Sequence, residues 1–318
     1  MELHHLEHIL AIAEAGSINE AAKRLYLTQS ALNQQLLRLE EELGTQLFSR
    51  SRNHFAVTEA GAIYLEGARE ILRIQRDTYS RIRDLTREKR GTIRIGLTPD
   101  RGMRMFSAIY PQFYQRYPEV KVIPAELIAS VQEEKIAAGD LDLGFLTLSP
   151  EQQICNAYIR LWAEQLVLVV PASHPLAGEG SPFREDLPDG LPEIGLDRFQ
   201  QDQFALISRE SSMRSLVDSC FEQAGVTPRI LLETRSSMTL FQLVQSLDCC
   251  SILPAAYARP SARVVYFALP GRPAWDLAVS YPRRSYLDEA RRALIGLAAE
   301  YWKRSPFLYR HGTEISGE

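Results

Sequence analysis

The chain has 318 residues, 45% apolar and 24% charged, the make-up of a soluble globular protein with room for two or three domains. Its net charge of −4 supplies no global field for nucleic acid. Residues 1–60 set Lys23, Arg24, Arg38, Arg50 and Arg52 against Glu2, Glu7, Glu14, Glu20, Glu40, Glu41, Glu42 and Glu59, which argues against a nonspecific polyanion binder but leaves room for a few well-placed arginines. The longest strongly apolar run, Leu166–Val170, is far too short to cross a bilayer, and no signal-peptide pattern opens the chain. A cytoplasmic protein with no membrane partner is expected. Cys155, Cys220, Cys249 and Cys250 are few and scattered, as reduced thiols are, not a disulfide framework.

Leu3, Leu6, Ile9, Leu10 and Ala13 recur at helical spacing and predict a helix over Leu3–Ala15, ended by Gly16. Ser17 with Glu20 three residues on reads as a capping box for a second helix, Ser17–Leu25, whose Ala21 and Ala22 allow close approach. After a turn at Tyr26–Leu27, Thr28 caps a third helix that runs to Gly44. Leu32, Leu36, Leu39 and Leu43 form its buried stripe. Its other face carries Gln29, Ser30, Asn33, Gln34 and Arg38. Amides and an arginine are unusual on a solvated face, where Glu and Lys are common, and they match base edges: Asn and Gln pair with adenine, Arg with guanine. A plain surface helix with an amide-rich exterior is the competing reading.

Two helices, a tight turn and a third helix make a helix-turn-helix. Phe48 and Phe55–Val57 then predict a short hairpin with Arg50, Ser51, Arg52, Asn53 and His54 at its tip, a wing suited to phosphates or an A·T-rich minor groove. The run GSINEAAKRLYLTQSALNQQLLRLEEELGTQLFSR, followed by FAVTEAG, resembles the winged helix-turn-helix of LysR-type transcriptional regulators. Gly16, Ser17, Ala21, Ala22, Gln29, Ala31, Leu39, Gly44, Phe48, Thr58 and Gly61 are among the matching positions. The family usually has proline where Ser30 stands and serine where Asn33 stands, so the base preference does not carry over. The resemblance implies double-stranded DNA as partner. Thr28, Gln29, Ser30, Asn33, Gln34 and Arg38 would face the major groove, and Arg50, Arg52 and His54 the backbone or minor groove.

Residues 61–90 hold no proline. Tyr64, Ala68, Ile71, Gln75, Thr78, Ile82 and Leu85 alternate spacings of four and three, a coiled-coil seam that predicts a dimerising linker helix. A helix lying on its own domain is the alternative. The resemblance implies pairing through this helix and assembly as a homotetramer, with RNA polymerase a further candidate partner.

From residue 91 the pattern changes. Thr92–Leu97, Val120–Leu127 and Leu141–Thr147 read as strands, with helices over Gly102–Tyr117 and Val131–Ala138 between them, a βαβαβ parallel sheet. Gln165–Val170 begins a second unit, continued by Phe204–Ile207, Ser212–Ala224, Arg229–Glu233, Met238–Leu247 and Cys250–Leu253. Val264–Ala268 and Trp275–Tyr281 are further strands, and Leu287–Arg304 is a closing helix. Two α/β units with the chain crossing and returning resemble a periplasmic-binding-protein fold. LTPDRG, PQFYQRYP, GDLDLGFL, EQLVLVVPASHPLA, GVTPRI and SILPA match the family's effector domain in order. The expected architecture is α/β behind an N-terminal all-α winged helix-turn-helix. A DNA-binding domain (1–60) and linker helix (61–90) precede a two-lobed effector domain (91–304) and a loosely held tail (305–318). The lobes are expected over 91–161 with 266–304, and over 162–265.

Ligands of open α/β sheets bind beyond the carboxyl ends of strands, at helix N-termini. That rule selects Thr98, Asp100, Arg101, Thr147 and Leu148 from the first unit and Ser211, Ser212, Met213, Ser236 and Ser237 from the second. Hydroxyls, open N–H groups and Arg101 suit a small carboxylate. The alternative is that the hydroxyls only cap helices and that Arg101 pairs with Asp100; Arg214 is placed neither inside nor outside the site. Where many relatives carry a glycine pair, this chain has Leu247, Asp248, Cys249 and Cys250, expected to reshape the cleft wall. The cysteine pair also offers a redox-sensor alternative, against the plainer reading of small core side chains. His4 and His8 have metal-ligand spacing but nothing completes a site, so no metal and no cofactor is expected. No GxSxG, GxxxxGK, HExxH or glycine-rich dinucleotide turn is present, so an enzyme, like a solute-binding protein, is the weaker reading. The expected function is a sequence-specific transcriptional regulator in which an effector changes the angle between lobes, and hence the bend in the DNA.

Overall fold

The computed structural model describes residues 3–51, 54–148, 156–184 and 189–304. The chain divides into two compact units, Met1–Glu88 and Lys89–Glu318. The tail at 305–318 and Cys155 lie outside the described residues.

In the first unit, α1 (Leu3–Ala15), α2 (Ile18–Arg24) and α3 (Gln29–Leu43) are followed by an antiparallel hairpin, β1 (Phe48–Ser51) and β2 (His54–Val57), and by α4 (Glu59–Thr86). Gly16, at φ +61°, ends α1 in the left-handed region that glycine enters at least cost. Ser17 accepts from the Glu20 N–H at 3.5 Å, but the Glu20 carboxylate turns to Lys23 at 2.7 Å, so the expected capping box is made from one side only. Thr28 caps α3 by accepting from the Ala31 N–H at 3.2 Å.

The buried stripe of α3 departs from expectation. Leu32 and Leu36 are buried and Leu39 is half-buried, but Leu43 is exposed and Glu40 is buried in its place. The last turn of α3 faces the start of the hairpin, where two N–H groups need an acceptor. The Glu40 carboxylate accepts from Leu47 at 2.8 Å and from Phe48 at 3.3 Å. Bonds of this kind are what make a buried acid tolerable.

Thr58 opens α4 by accepting from the Gly61 N–H at 3.0 Å while its hydroxyl donates to the Gln46 carbonyl at 2.7 Å. The seam expected along α4 splits in two. Tyr64 and Ala68 pack on the unit's own core with Leu65 and Leu72 and Gln75 is half-buried, whereas Ile71, Thr78, Ile82 and Leu85, with Ile74 beside them, are exposed within the unit.

The second unit has two lobes. In the first, β3 (Arg90–Leu97) pairs in parallel with β4 (Glu119–Glu126) and with β5 (Leu143–Leu148), and α5 (Arg101–Arg116) and α6 (Ala129–Ala138) are the crossovers. In the second, β7 (Gln203–Ile207) pairs in parallel with β8 (Arg229–Thr234), joined through α7 (Ser212–Gln223), and α8 (Ser237–Ser246) leads to β9 (Ser251–Pro254). The long strand β6 (Ala157–Pro171) belongs to both lobes. Its first half pairs with β11 (Ala274–Tyr281), which also pairs with β5. Its second half pairs with β9 and with β10 (Val264–Ala268). Helix α9 (Glu289–Arg304) packs on α5. Each lobe has its own core, around Ile95, Phe113 and Leu294 in the first and Leu168, Phe204 and Val217 in the second.

The pairing of β6 passes from β11 to β9 between Gln165 and Leu166. The lobe boundaries expected at 161/162 and 265/266 therefore fall inside β6 and inside β10. Only the second half of β6 is buried on both faces and reads as a continuous apolar run; the first half is broken by exposed and polar residues such as Arg160 and Glu164.

Gly61 is the position where space decides the residue. A Cβ there would lie 2.1 Å from the Leu47 carbonyl oxygen, a main-chain atom fixed by the hairpin. We expect Gly61→Ala to destabilise the first unit by about 1–3 kcal/mol, as overpacking does. Chemical denaturation of the full chain, followed by a probe in residues 1–88, checks this, with Gly67→Ala as the control, since a Cβ at Gly67 meets nothing within 4 Å.

Candidate functional site

Helix α3 presents Thr28, Gln29, Ser30, Gln34 and Arg38 to solvent, while Asn33 is half-buried at the edge of that face. Fold duties fall elsewhere. Gln35 bonds the His8 ring at 2.6 Å and ties α3 to α1, which gives His8 a structural role. The Thr28 hydroxyl is committed to the cap and lies 3.2 Å from that of Ser30. Two exposed residues of this face escaped the sequence reading. Leu37 stands outside the leucine stripe and is 47% exposed, an apolar knob of the kind that meets a thymine methyl. Tyr26, in the turn before α3, is 97% exposed with φ +55°, a conformation uncommon for a bulky side chain. The signal for both was the absence of any packing role at a position flanking the amide face.

The hairpin beside α3 is held by Phe48 and Phe55, whose rings stack at 5.1 Å. Arg52 and Asn53 lie outside the described residues, as do the side chains of Arg50, Ser51 and His54.

In the second unit a cavity of about 380 Å³ opens between the lobes. Seven of the expected residues line it: Thr98, Arg101, Thr147, Ser211, Ser212, Met213 and Ser237. Thr147 on β5 and Ser212 at the start of α7 face one another, their hydroxyls 3.3 Å apart across the lobes. Ser211 caps α7 by accepting from the Met213 N–H at 3.3 Å.

Three expected residues lie elsewhere. Leu148 is buried with Leu146 and Ala278, because neighbours on a strand point to opposite faces and Thr147 takes the cleft side. Asp100 bonds Arg104 at 2.6 Å and accepts from the Tyr257 hydroxyl at 3.2 Å. Ser236 is a cap, accepting from the Thr239 N–H at 3.2 Å. Arg214 is buried outside the wall, on Asp218 at 2.7 Å and Glu233 at 2.5 Å.

Arg101 is neither free nor paired with Asp100. Its guanidinium forks onto Glu164, with Nη2 2.6 Å from Oε1 and Nη1 bonded to Oε2. It lies over the rings of Tyr257, Trp302 and Trp275 at 5.3, 5.4 and 5.6 Å. Burial alone would depress the Arg101 pKa; the Glu164 charge and bonds outweigh it and hold the group above its ordinary value. The second cation of the wall, Arg235, is bonded to Glu210 on the rim. Tyr257, Trp275, Glu126, Ile128 and Ala129 complete much of the wall, and none was selected from sequence. They follow a third strand end and return crossings that only the tertiary structure brings together. The cavity thus offers hydroxyls, the positive end of the α7 dipole and an aromatic shelf, with both cations already matched.

Leu247–Cys250 do not line this cavity, which corrects the expected reshaping of its wall. Cys249 and Cys250 are buried in the core of the second lobe, and Cys250 bonds through its main chain to β7. Burial raises the pKa of both thiols.

Residues 3–62 match the family model for "Bacterial regulatory helix-turn-helix protein, lysR family", and residues 86–303 match that for "LysR substrate binding domain". The chain is 31% identical over 247 residues to the Hca operon transcriptional activator HcaR of Escherichia coli, covering 77% of this chain and 78% of that protein. It is 29% identical over 258 residues to the regulator AlsR of Bacillus subtilis, covering 80% and 81%. Among solved structures it is similar in fold to a full-length OxyR variant from Pseudomonas aeruginosa, at TM-score 0.66 and 21% identity over 95% of this chain and 94% of that one. Full-length CbnR complexed with its target DNA matches at TM-score 0.53 and 24% identity, over 96% and 100%.

The buried thiols generate a direct expectation. Only the thiolate reacts, and burial pushes the pKa of Cys220 up to about 11, with Cys249 and Cys250 also raised. At pH 8 a disulfide reagent should leave these three cysteines of the folded protein unmodified over minutes and label them only on unfolding. Peptide mapping gives the answer, and rapid native labelling of Cys249 or Cys250 would revive a redox role.

Proposed function

The chain belongs to the LysR family of transcriptional regulators, and we propose that its α3 reads an operator half-site while a small carboxylate held between the lobes sets the regulatory state. The family makes it a DNA-binding regulator with an effector-binding domain, not an enzyme. No helix among the described residues is long and apolar enough to cross a membrane, and we place the protein in the cytoplasm with its DNA.

One observation carries the reading of α3. Its exposed face carries Gln29, Gln34 and Arg38, side chains with paired donors or acceptors that the fold of the unit does not use, beside Ser30 at the cap. Arg50, Arg52 and His54 of the wing sequence are assigned to phosphates or the minor groove. The exposed stripe Ile71, Ile74, Thr78, Ile82 and Leu85 supports pairing of α4 with a second copy, which would set two reading helices on successive half-sites. A tetramer is the assembly in which a change of lobe angle would alter the DNA bend.

For the effector, the charge pattern supports a small molecule with one anionic group directed at the N-terminus of α7 and an apolar body on Tyr257 and Trp275. With Arg101 and Arg235 already paired, a polyanion would meet no unmatched cation in the wall. Burial of Cys249 and Cys250 favours this over redox sensing.

Sequencing genomic fragments retained by the full-length protein at about 150 mM salt tests the DNA reading. A pseudo-palindromic site with half-sites about one helical turn apart is expected. Arg38→Ala should cost about 1–3 kcal/mol on that site and little on random DNA; equal losses on both would make Arg38 a phosphate contact. Retention without any enriched motif would refute specific recognition.

A thermal-shift panel of small mono- and dicarboxylates tests the cavity. A monocarboxylate should raise the unfolding temperature of the full chain, and Ser212→Ala should weaken its binding about tenfold with DNA affinity unaltered. Selection of dicarboxylates, or no shift by any acid, would overturn the charge argument.

A further inference from the structure

Two residues of the cavity wall, Arg101 and Trp275, and the main-chain neighbour of a third, Tyr257, converge on a carboxylate that is not itself part of the wall. Glu164 is 5% exposed and lies one residue before the β6 pairing passes from one lobe to the other. Its Oε2 accepts from Arg101 and from the Trp275 indole N–H at 2.8 Å. Its Oε1 accepts from Arg101 at 2.6 Å and from the Ala256 N–H at 3.2 Å. Arg101 belongs to the first lobe; Trp275 stands on β11 of that lobe's sheet and packs its ring in the core of the second. Ala256 belongs to the second and precedes Tyr257, the third wall residue.

We propose that Glu164 is the positioning residue of the effector response: it joins the Arg101–Tyr257–Trp275 wall to the lobe crossing without touching the occupant, and so sets the angle between the lobes. This rests on the reading of the cavity as the effector site. Both carboxylate oxygens are fully used, and rings of Tyr257, Trp275 and Trp302 surround the guanidinium. In so dry a cluster each bond is strong and each displacement is felt by the others. An occupant that shifts Tyr257 or Trp275 moves a donor to Glu164. The Ala256 N–H is the main-chain donor from the second lobe, and the Trp275 indole is seated in that lobe's core, so the change is read as lobe angle. A buried ion pair with a purely structural role would need no donor from the second lobe.

Glutamine in place of Glu164 separates these roles. It keeps the volume but brings one acceptor oxygen and an NH2, which must face donors on one side or the other. Arg101 is then left buried and incompletely paired, so Arg101→Met/Glu164→Gln serves as a companion that removes the stranded charge and preserves folding. Hydrogen exchange of the effector-free, full-length protein is measured first. In both variants, amides of residues 255–257 should exchange about tenfold faster, while Val167–Val170 in the core strand keep their protection. On the DNA fragment selected by the wild type, both variants should bind the same sequence with an altered footprint or bend. Unchanged exchange at 255–257 would overturn the proposal. So would a general rise over both lobes in the double variant, or local exchange with a wild-type footprint. If no fragment is selected, the DNA reading fails while the exchange result still decides the link between lobes.

Discussion

One strand is shared by two sheets, and most of the second unit follows from that. The first half of β6 is laddered to β11 and its second half to β9 and β10. The lobes cannot move apart without breaking a continuous strand; the motion left to them is twist about β6 and about the return crossing between β10 and β11. Residues at this crossing are therefore placed to register lobe angle, while residues deep in either core are not. Trp275 stands opposite Glu164 in the β11–β6 register, and α5 opens beside them at the end of β3, which delivers Arg101. The ligand rule for open α/β sheets and the fulcrum rule for a shared strand select the same corner. That coincidence puts the cavity wall where any change of lobe angle would be felt.

The first unit solves a comparable joint with the same chemistry. Where α3 parts from the hairpin, the Glu40 carboxylate accepts two main-chain N–H groups; where the lobes part, Glu164 accepts one, together with three side-chain donor contacts. An acid buried among such donors replaces its lost hydration with fixed dipoles, and its directionality fixes an angle that apolar packing leaves soft. The division of labour on α3 is sharp as a result. Gln35 is spent on His8 and Glu40 on the hairpin, whereas Gln34 and Arg38, one turn apart on the outer face, carry no structural duty. Adjacent amides of identical type thus separate into one spent on the fold and one left exposed.

This contrast also explains what was legible in the sequence. Helix α3 was bounded from sequence to within a residue because Thr28 and Gly44 are local signals with local causes. The periodic leucines and alanines of α1 and α2, and the βαβ grammar of the first lobe, were legible for the same reason. Glu40 was not: an acid interrupting an apolar stripe looks like the stripe's end, and its partners lie in a hairpin not yet formed. Arg101 was found by the strand-end rule, but its partner lies 63 residues away. No local pattern says that its charge is already committed. The first half of β6 was missed because a strand half-exposed on a lobe edge lacks an apolar run. Leu148 was selected with Thr147 because the rule chooses a strand end, and only the alternation of faces decides which of two neighbours looks into the cleft.

The charge of the first unit limits what a single copy can do on DNA. Acidic residues outnumber basic ones in 1–60, so a single unit has few cations for phosphates and draws little affinity from counterion release. Base contacts from one short helix face add discrimination but not much free energy. A monomer built this way is a selective but weak reader. Doubling the reader repairs this without adding charge, because the second contact becomes intramolecular once the first is made. The apolar positions that α4 leaves exposed beyond Ile71 are the feature of the first unit that can support such doubling. Weak, specific single contacts are then an advantage: the total depends steeply on how the readers are spaced, which is the quantity a change of lobe angle could control.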